Sequence, residues 1–310
     1  MSEVIILLAT HNGEKYLNVM IDSILSQDFR EWRLILSDDA SEDGTLEILR
    51  FYAEKYPEKI TLYQSGQRFG NAKHHFMHLL EQFNEAEYLM FADQDDRWHA
   101  NKVSATLRLM KQLEEKSNVP VMVHTDLCVV DENLQCLNPS FMKYSNLDGS
   151  RLGVNTLLIQ NVVTGCTMML NRALVKKVAG TMVKSDILMH DWWIALVAST
   201  CGVTGFLNEA TMDYRQHGEN SVGAKDSHSA RYILNRSVSG ENYIAIRNTF
   251  LQARSLSEAF GKEMKPKDAA LVAVYGEAAD ANFLKRRWMY IKYGIFKKGI
   301  SRKIGQLIYG

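Results

Sequence analysis

The 310-residue chain has four cysteines, no net formal charge and no apolar run near the roughly 20 residues that span a bilayer. Each lack excludes something. Cys128, Cys136, Cys166 and Cys201 form no C-x-x-C pair, so a zinc site is not expected. A chain this long needs no disulfide scaffold, and scattered cysteines suit a reducing cytoplasm. A zero net charge argues against a polyanion binder, and no nucleic-acid partner is expected. The start of the chain has no basic stretch, and Val4–Ala9 is too short for a signal segment. No G-x-G-x-x-G and no P-loop occur, which argues against dinucleotide binding and P-loop nucleotide hydrolysis.

What is present is ordinary in bulk and uneven in detail. Apolar residues make up 46% and charged residues 23%, as in soluble globular proteins. The length suits one large domain, or a domain with a helical appendage. Residues 281–310 hold eight Lys or Arg and no acid, so the first 280 residues carry 28 basic against 36 acidic groups.

Short apolar runs alternate with helix-period segments over the first 117 residues. Val4–Leu8, Arg33–Leu36, Ile60–Tyr63 and Tyr88–Phe91 read as strands. Between and after them, apolar residues recur at helical spacing. This order predicts βαβ units, an α/β fold and a mostly parallel sheet, with ligands beyond the carboxyl ends of the strands. Further on, Val121–His124, Val162–Leu170, Val203–Leu207 and Thr211–Arg215 read as strands. Asn171–Ala179 and Ile187–Thr200 read as helices, and almost everything after Ser227 is helical, with a break near Lys265-Pro266. Gly218, Asn220, Ser221 and Gly223 mark a boundary near residues 218–226.

The polar residues after the strands carry the chemistry. Asp93-Gln94-Asp95-Asp96 follows the fourth strand. Alternate carboxylates there suit Mg²⁺ or Mn²⁺ and a diphosphate, although an acidic turn capping the next helix would look the same. Asp39, after the second strand, is placed to accept a hydrogen bond from a pyrimidine N3–H, while Ser41 or Asp43 closes the turn. Thr10-His11-Asn12-Gly13 follows the first strand and offers backbone groups to the same base. Asp191, at a helix start, is a helix cap or a carboxylate general base. Trp192 and Trp193 after it read as core residues or sugar platforms. His217 is a third metal ligand, a phosphate contact or a surface residue. His74 and His78 lack a third ligand and read as solvated. Lys73 or Arg68 adds charge at a diphosphate, or is simply solvated.

Taken together, these pieces resemble family 2 glycosyltransferases with the GT-A fold. The pieces are Ala9–Gly13, Asp38–Thr45, Phe91–Trp98, Thr164–Met169, His190-Asp191, and Tyr214–His217 followed by Asn220. The resemblance spans about residues 3–223. It implies inverting transfer from a nucleotide-sugar donor by a Rossmann-like domain over residues 1–222, followed by a helical region over 223–310. Ala9, Thr10, Asn12, Asp39, Lys73, Asp93 and Gln94 would contact the donor. Asp93, Asp95 and His217 would hold the metal, and Asp191 would be the base. Ala9 stands where the family usually has Pro and His11 where it has Tyr, which alters the wall around the base. Asp93–Asp96, Thr164–Met169 and Tyr214–Asn220 are most similar to bacterial rhamnosyltransferases of cell-wall or O-antigen synthesis. That similarity implies dTDP-L-rhamnose as donor and a polyprenol-linked glycan as acceptor. Another UDP- or GDP-sugar, or a non-catalytic nucleotide-sugar-binding partner, are the alternatives. A sugar nucleotidyltransferase would need a basic Gly-rich loop that Thr10–Leu17 lacks.

In the last thirty residues, Leu284, Trp288, Ile291, Ile295 and Phe296 recur at helical spacing, as do Ile300, Ile304, Leu307 and Ile308. With eight cations around them, they fit an interfacial helix on the anionic inner face of a cell membrane. The competing expectation is packing on the catalytic domain or in a homo-oligomer.

Overall fold

The computed structural model describes residues 3–115, 119–181, 186–218 and 241–310. A mixed sheet runs in the order β3-β2-β1-β4-β8-β6-β9-β5, with β7 paired to β6. Its first half is parallel: β1 (Val4–Thr10), β2 (Trp32–Asp38), β3 (Ile60–Leu62) and β4 (Tyr88–Asp93). Short β8 (Met169–Asn171) pairs antiparallel with both β4 and β6 (Val121–Val130). β9 (Val203–Arg215) runs parallel to β6, and β5 (Arg97–Trp98) and β7 (Cys136–Asn138) pair antiparallel at the margin.

Helices cover both faces. They are α1 (Glu14–Leu25), α2 (Thr45–Lys55), α3 (Ala72–Gln82) and α4 (Lys102–Glu114), then short α5 (Phe141–Tyr144) and α6 (Val154–Leu157), α7 (Arg172–Val178) and α8 (His190–Cys201). The unbroken apolar run of β1 follows from this covering. Ile5 and Leu7 face a core shared with α3 and α8, while Val4, Ile6 and Leu8 face one shared with α1.

Among the described residues, four further helices follow: α9 (Glu241–Phe260), α10 (Pro266–Glu277), α11 (Phe283–Tyr293) and α12 (Ile300–Tyr309). Ile246, Phe250, Tyr275 and Tyr290 join the core of Ile5, Leu7 and Phe91, so these helices share an apolar interior with the sheet. Pro266 starts α10, where proline's missing N–H costs nothing. The boundary read at residues 218–226 lies outside the described residues except for its first position.

Several expectations about the elements change. Val162–Leu170 is not a strand: residues 162–164 are irregular, Gly165–Thr167 form a 3-10 turn, and pairing starts only at Met169. Its apolar residues are nevertheless buried, Val162, Val163 and Met168 in the core that includes Trp193 of α8. Val203–Leu207 and Thr211–Arg215 are one strand, with register shifts opposite Thr125–Cys128. The helix expected from Ile187 starts at His190.

Candidate active site

The strand register places three motif segments side by side. Thr10 pairs with Asp38, and Ala9 with Asp93, at the carboxyl ends of β2, β1 and β4. Together they open on a cleft of about 1770 Å³. Ala9, Thr10, Asn12, Asp39, Lys73, Asp93, Gln94, Asp95, Asp191 and His217 all line it. A second depression of about 420 Å³, lined by residues such as Ser150, Ser199 and Phe206, holds no titratable side chain.

The loops after β1 and β2 are stapled together. Asn12, at a left-handed φ of 49°, accepts from the Glu42 amide at 2.8 Å, and its own amide donates to Ser41 Oγ. Asp38 accepts from Thr10 Oγ1 at 2.9 Å and from the Ser41 amide and hydroxyl. Gln94 reaches back from the β4 loop: its Oε1 accepts from the His11 amide at 2.8 Å and its Nε2 donates to the His11 carbonyl at 2.9 Å. Gly13 gives the room, since a Cβ there would lie 2.3 Å from Gln94 Oε1. The amides of Gln94 and Asn12 are thus engaged in shaping the cleft wall.

Asp39 accepts from the Phe69 and Gly70 amides, at 2.5 and 2.7 Å, which ties the β3–α3 loop to the end of β2. Phe69 stacks on His75 at 4.6 Å, and His75 Nε2 lies 2.8 Å from Ser37 Oγ. Burial holds the His75 imidazole down at about 4, so it is neutral near pH 7. His75 lines the cleft and was not singled out in the sequence, where the two histidines flanking it drew attention. His74 is exposed, as expected of a solvated residue. His78 is not: it lies 3.1 Å from Tyr63 Oη and 4.9 Å, ring to ring, from Phe69. Lys73 Nζ donates to the Ile187 carbonyl at 2.7 Å, and exposed Arg68 lines the cleft nearby.

The three aspartates after β4 differ. Asp95 is partly exposed, and its Oδ2 lies 2.7 Å from His217 Nε2. His217 also packs on Tyr16, with ring centroids 4.9 Å apart. Buried Arg215 donates Nε to the Asp95 carbonyl at 2.7 Å and stands over the Tyr16 ring. Asp93 receives the Cys166 thiol proton in a hydrogen bond, and burial with the nearby Asp95 charge pushes its carboxyl up to about 7. Asp96 is fully buried; its Oδ1 accepts from the Arg215 amide at 3.1 Å. Burial and its two acidic neighbours raise it well above the ordinary carboxylate range.

Asp93, Asp95 and His217 fit a divalent cation by donor chemistry: two hard carboxylates and an imidazole on one cleft, two of them already at contact distance. A tighter group, Asp93, Asp96 and Cys166, has ligand atoms within 4.8 Å of one another. It suits Mg²⁺ or Mn²⁺ less, because Asp96 is sealed from the cleft and a thiol is a soft ligand.

Asp191 opens α8 and is nearly buried. It accepts from the Trp192 amide at 2.6 Å, and also from the Gly165 amide and the Asn161 side chain. Burial outweighs these bonds and pushes its carboxyl up to about 6. Such a group is charged at neutral pH yet can take a proton, as a general base must. Asn161 had no sequence signal beyond lying before the T-G-C stretch. His190, beside Asp191, is wedged between Phe76 and Phe91 at 4.8 and 5.2 Å, and burial drives it down to about 3. Trp193 is fully buried, whereas Trp192 lines the cleft with its indole N–H on the Leu157 carbonyl at 2.5 Å.

A GT-A architecture is what this sheet and its cleft define. Glycosyl transferase family 2 matches residues 5–179, more than half the chain, and the protein belongs to that family: it is a glycosyltransferase. It is 27% identical over 233 residues to a dTDP-rhamnosyl transferase, RfbG of Shigella flexneri, covering 73% of this chain and 76% of RfbG. Its fold matches S. aureus TarS 1-349 in complex with UDP-GlcNAc, at a TM-score of 0.55 and 18% identity over 95% of this chain and 88% of TarS 1-349. It also matches mannosyltransferase PcManGT from Pyrobaculum calidifontis in complex with GDP-Man and Mn²⁺, with a TM-score of 0.53 and 16% identity, over 98% of this chain and 83% of that one.

Proposed function

We propose that the enzyme is an inverting rhamnosyltransferase, moving L-rhamnose from dTDP-L-rhamnose to a polyprenol-linked saccharide in bacterial surface polysaccharide synthesis. One observation carries the transferase chemistry: Asp39, Asp93, Asp95, His217 and Asp191 line a single cleft. The rhamnose donor is supported by the likeness to RfbG and by the motifs over residues 93–96, 164–169 and 214–220.

In this reading Asp39 and the walls formed by Ala9, Thr10 and Asn12 position the thymine, with Lys73 toward the diphosphate. Asp93, Asp95 and His217 would hold Mg²⁺ or Mn²⁺, which would supply positive charge to offset that of the diphosphate. Asp191 accepts the proton of the attacking hydroxyl. Its hydrogen-bond donors fix the carboxylate so that the hydroxyl meets the anomeric carbon in line, lowering the entropic barrier. The catalytic part is residues 1–222, with the helices beyond as a separate functional region.

A second reading is a UDP- or GDP-sugar donor, favoured by the fold shared with TarS and PcManGT, whose complexes hold UDP-GlcNAc and GDP-Man. A panel of dTDP-rhamnose, UDP-hexoses and GDP-mannose, each with Mg²⁺ or Mn²⁺, separates the two by thermal shift and donor turnover. The rhamnose reading expects the largest shift and fastest turnover with dTDP-rhamnose. Greater stabilisation and faster turnover by a UDP-hexose would replace it.

A further inference from the structure

The apolar stripe of the last thirty residues splits in two. Ile295 is fully buried, and Phe296 and Leu307 are half-buried, so part of the stripe packs inward. The rest does not. Leu284, Trp288 and Ile291 on α11 are 76%, 56% and 68% exposed, and Ile300, Ile304 and Ile308 on α12 are 80%, 53% and 56% exposed. Their spacings of three and four residues make one apolar ridge along each helix. The opposite faces, at Met289, Tyr290 and Gln306, are buried.

The basic residues sort the same way. Arg286, Arg287, Lys298 and Arg302 are half-buried and donate to backbone carbonyls: Ala281 for the first, Leu307 and Ile308 for the second, Leu147 for the third, Ser145 and Asn146 for the last. Gln306 bonds the Lys297 amide and the Ile295 carbonyl, locking α12 to the turn after α11. These contacts make a rigid platform. Lys285, Lys292 and Lys303 stay exposed, with Lys292 Nζ 4.4 Å from the Trp288 ring. The platform abuts the cleft, because Leu147, whose carbonyl Lys298 holds, is one of its lining residues.

We infer that these two ridges, with Lys285, Lys292 and Lys303, are a docking face for an anionic phospholipid bilayer that sets the cleft beside the surface. Exposed aliphatic and indole side chains give the apolar insertion, and lysines on a segment with no acid from residue 281 to 310 give the attraction to headgroups. A second copy meeting this face by two-fold symmetry would set the three exposed lysines against their own copies, with no acid between residues 281 and 310 to offset them. A nucleic acid would use the charge but not the aliphatic ridge.

Flotation of the full-length protein with phosphatidylglycerol or phosphatidylcholine vesicles at low salt tests this without any donor. The protein should rise with phosphatidylglycerol and not with phosphatidylcholine. Ile291→Glu with Ile304→Glu should abolish flotation while leaving the unfolding temperature unchanged, since both sites are exposed. A Lys285→Gln, Lys292→Gln, Lys303→Gln triple variant should bind about a hundredfold more weakly. Failure of the parent to bind phosphatidylglycerol, or undiminished binding by both variants, would overturn the proposal. So would a parent dimer that the Ile→Glu pair converts to monomer, because the ridges would then belong to a second copy.

Discussion

Asp95 and Asp191 reach the same cleft on different supports. Asp95 follows a buried parallel strand, and residues more than a hundred positions away, His217 and Arg215, fix its carboxylate and its carbonyl. Asp191 depends on a loop: two of its partners, Asn161 and Gly165, lie in a stretch whose only regular structure is one 3-10 turn. The strand-end carboxylate is therefore held by long-range contacts to the sheet, and the α8 carboxylate by the shape of a short segment. Changes on the first side should act all or none. Those on the second should act by degrees, through position and proton affinity.

The largest effect is expected for Asp95→Ala. It should cut transfer by about 10³ or more, because the proposed metal site would lose a carboxylate ligand, while thermal unfolding of the metal-free protein stays near that of the parent. Activity that survives both the substitution and a chelator would remove the metal from this side. Asp191→Asn should lower kcat by about 10² with donor affinity kept. In the parent, kcat/KM should fall as pH drops through about 6, because the proposed base would have to be charged and the Asp191 carboxyl is raised to that region. A mutant with normal kcat but weak donor binding would make Asp191 a binding residue.

Asn161→Ala is predicted to be milder, about tenfold in kcat. Its hydrogen bond favours the charged carboxylate, so its loss should also move the acid limb of the pH profile upward. A tenfold loss with an unmoved limb would reduce Asn161 to a packing role. Gly13→Ala should have the smallest effect. The new methyl would press on Gln94 and loosen the wall of the donor site, raising the donor KM several-fold at a stability cost of about 1–3 kcal/mol. An unchanged KM would show that Gln94 yields freely.

Much of the strand-end side was legible in sequence, and for a physical reason. Strands buried on both faces must be continuously apolar, so β1, β2 and β4 stand out, and polar residues after them fall at the sheet's carboxyl edge. The α8 side was not legible in the same way. Val162–Leu170 is as apolar as a strand, but only Met169 and Leu170 pair, and Val162, Val163 and Cys166 are buried without pairing. β6 was read too short because Thr125 and Asp126 break its apolar run. Both are buried with their polar atoms satisfied, Thr125 by Thr211 at 2.8 Å and Asp126 by Ser140 Oγ and the Leu127 and Met142 amides. The cysteines also mislead in one dimension. Cys128 and Cys136, eight residues apart, face each other across the β6–β7 hairpin with sulfurs 3.3 Å apart.

Gln94 has a consequence for how the cleft behaves as a unit. The last backbone pair between β1 and β4 is Ala9 with Asp93, yet the Gln94 amide gives His11 both a donor and an acceptor just beyond it. A primary amide offers the same two groups that a neighbouring strand would. The ladder is in effect one rung longer than its backbone, and that rung is a removable side chain. The loop proposed to grip the base and the loop proposed to grip the metal therefore move together only as long as residue 94 carries an amide.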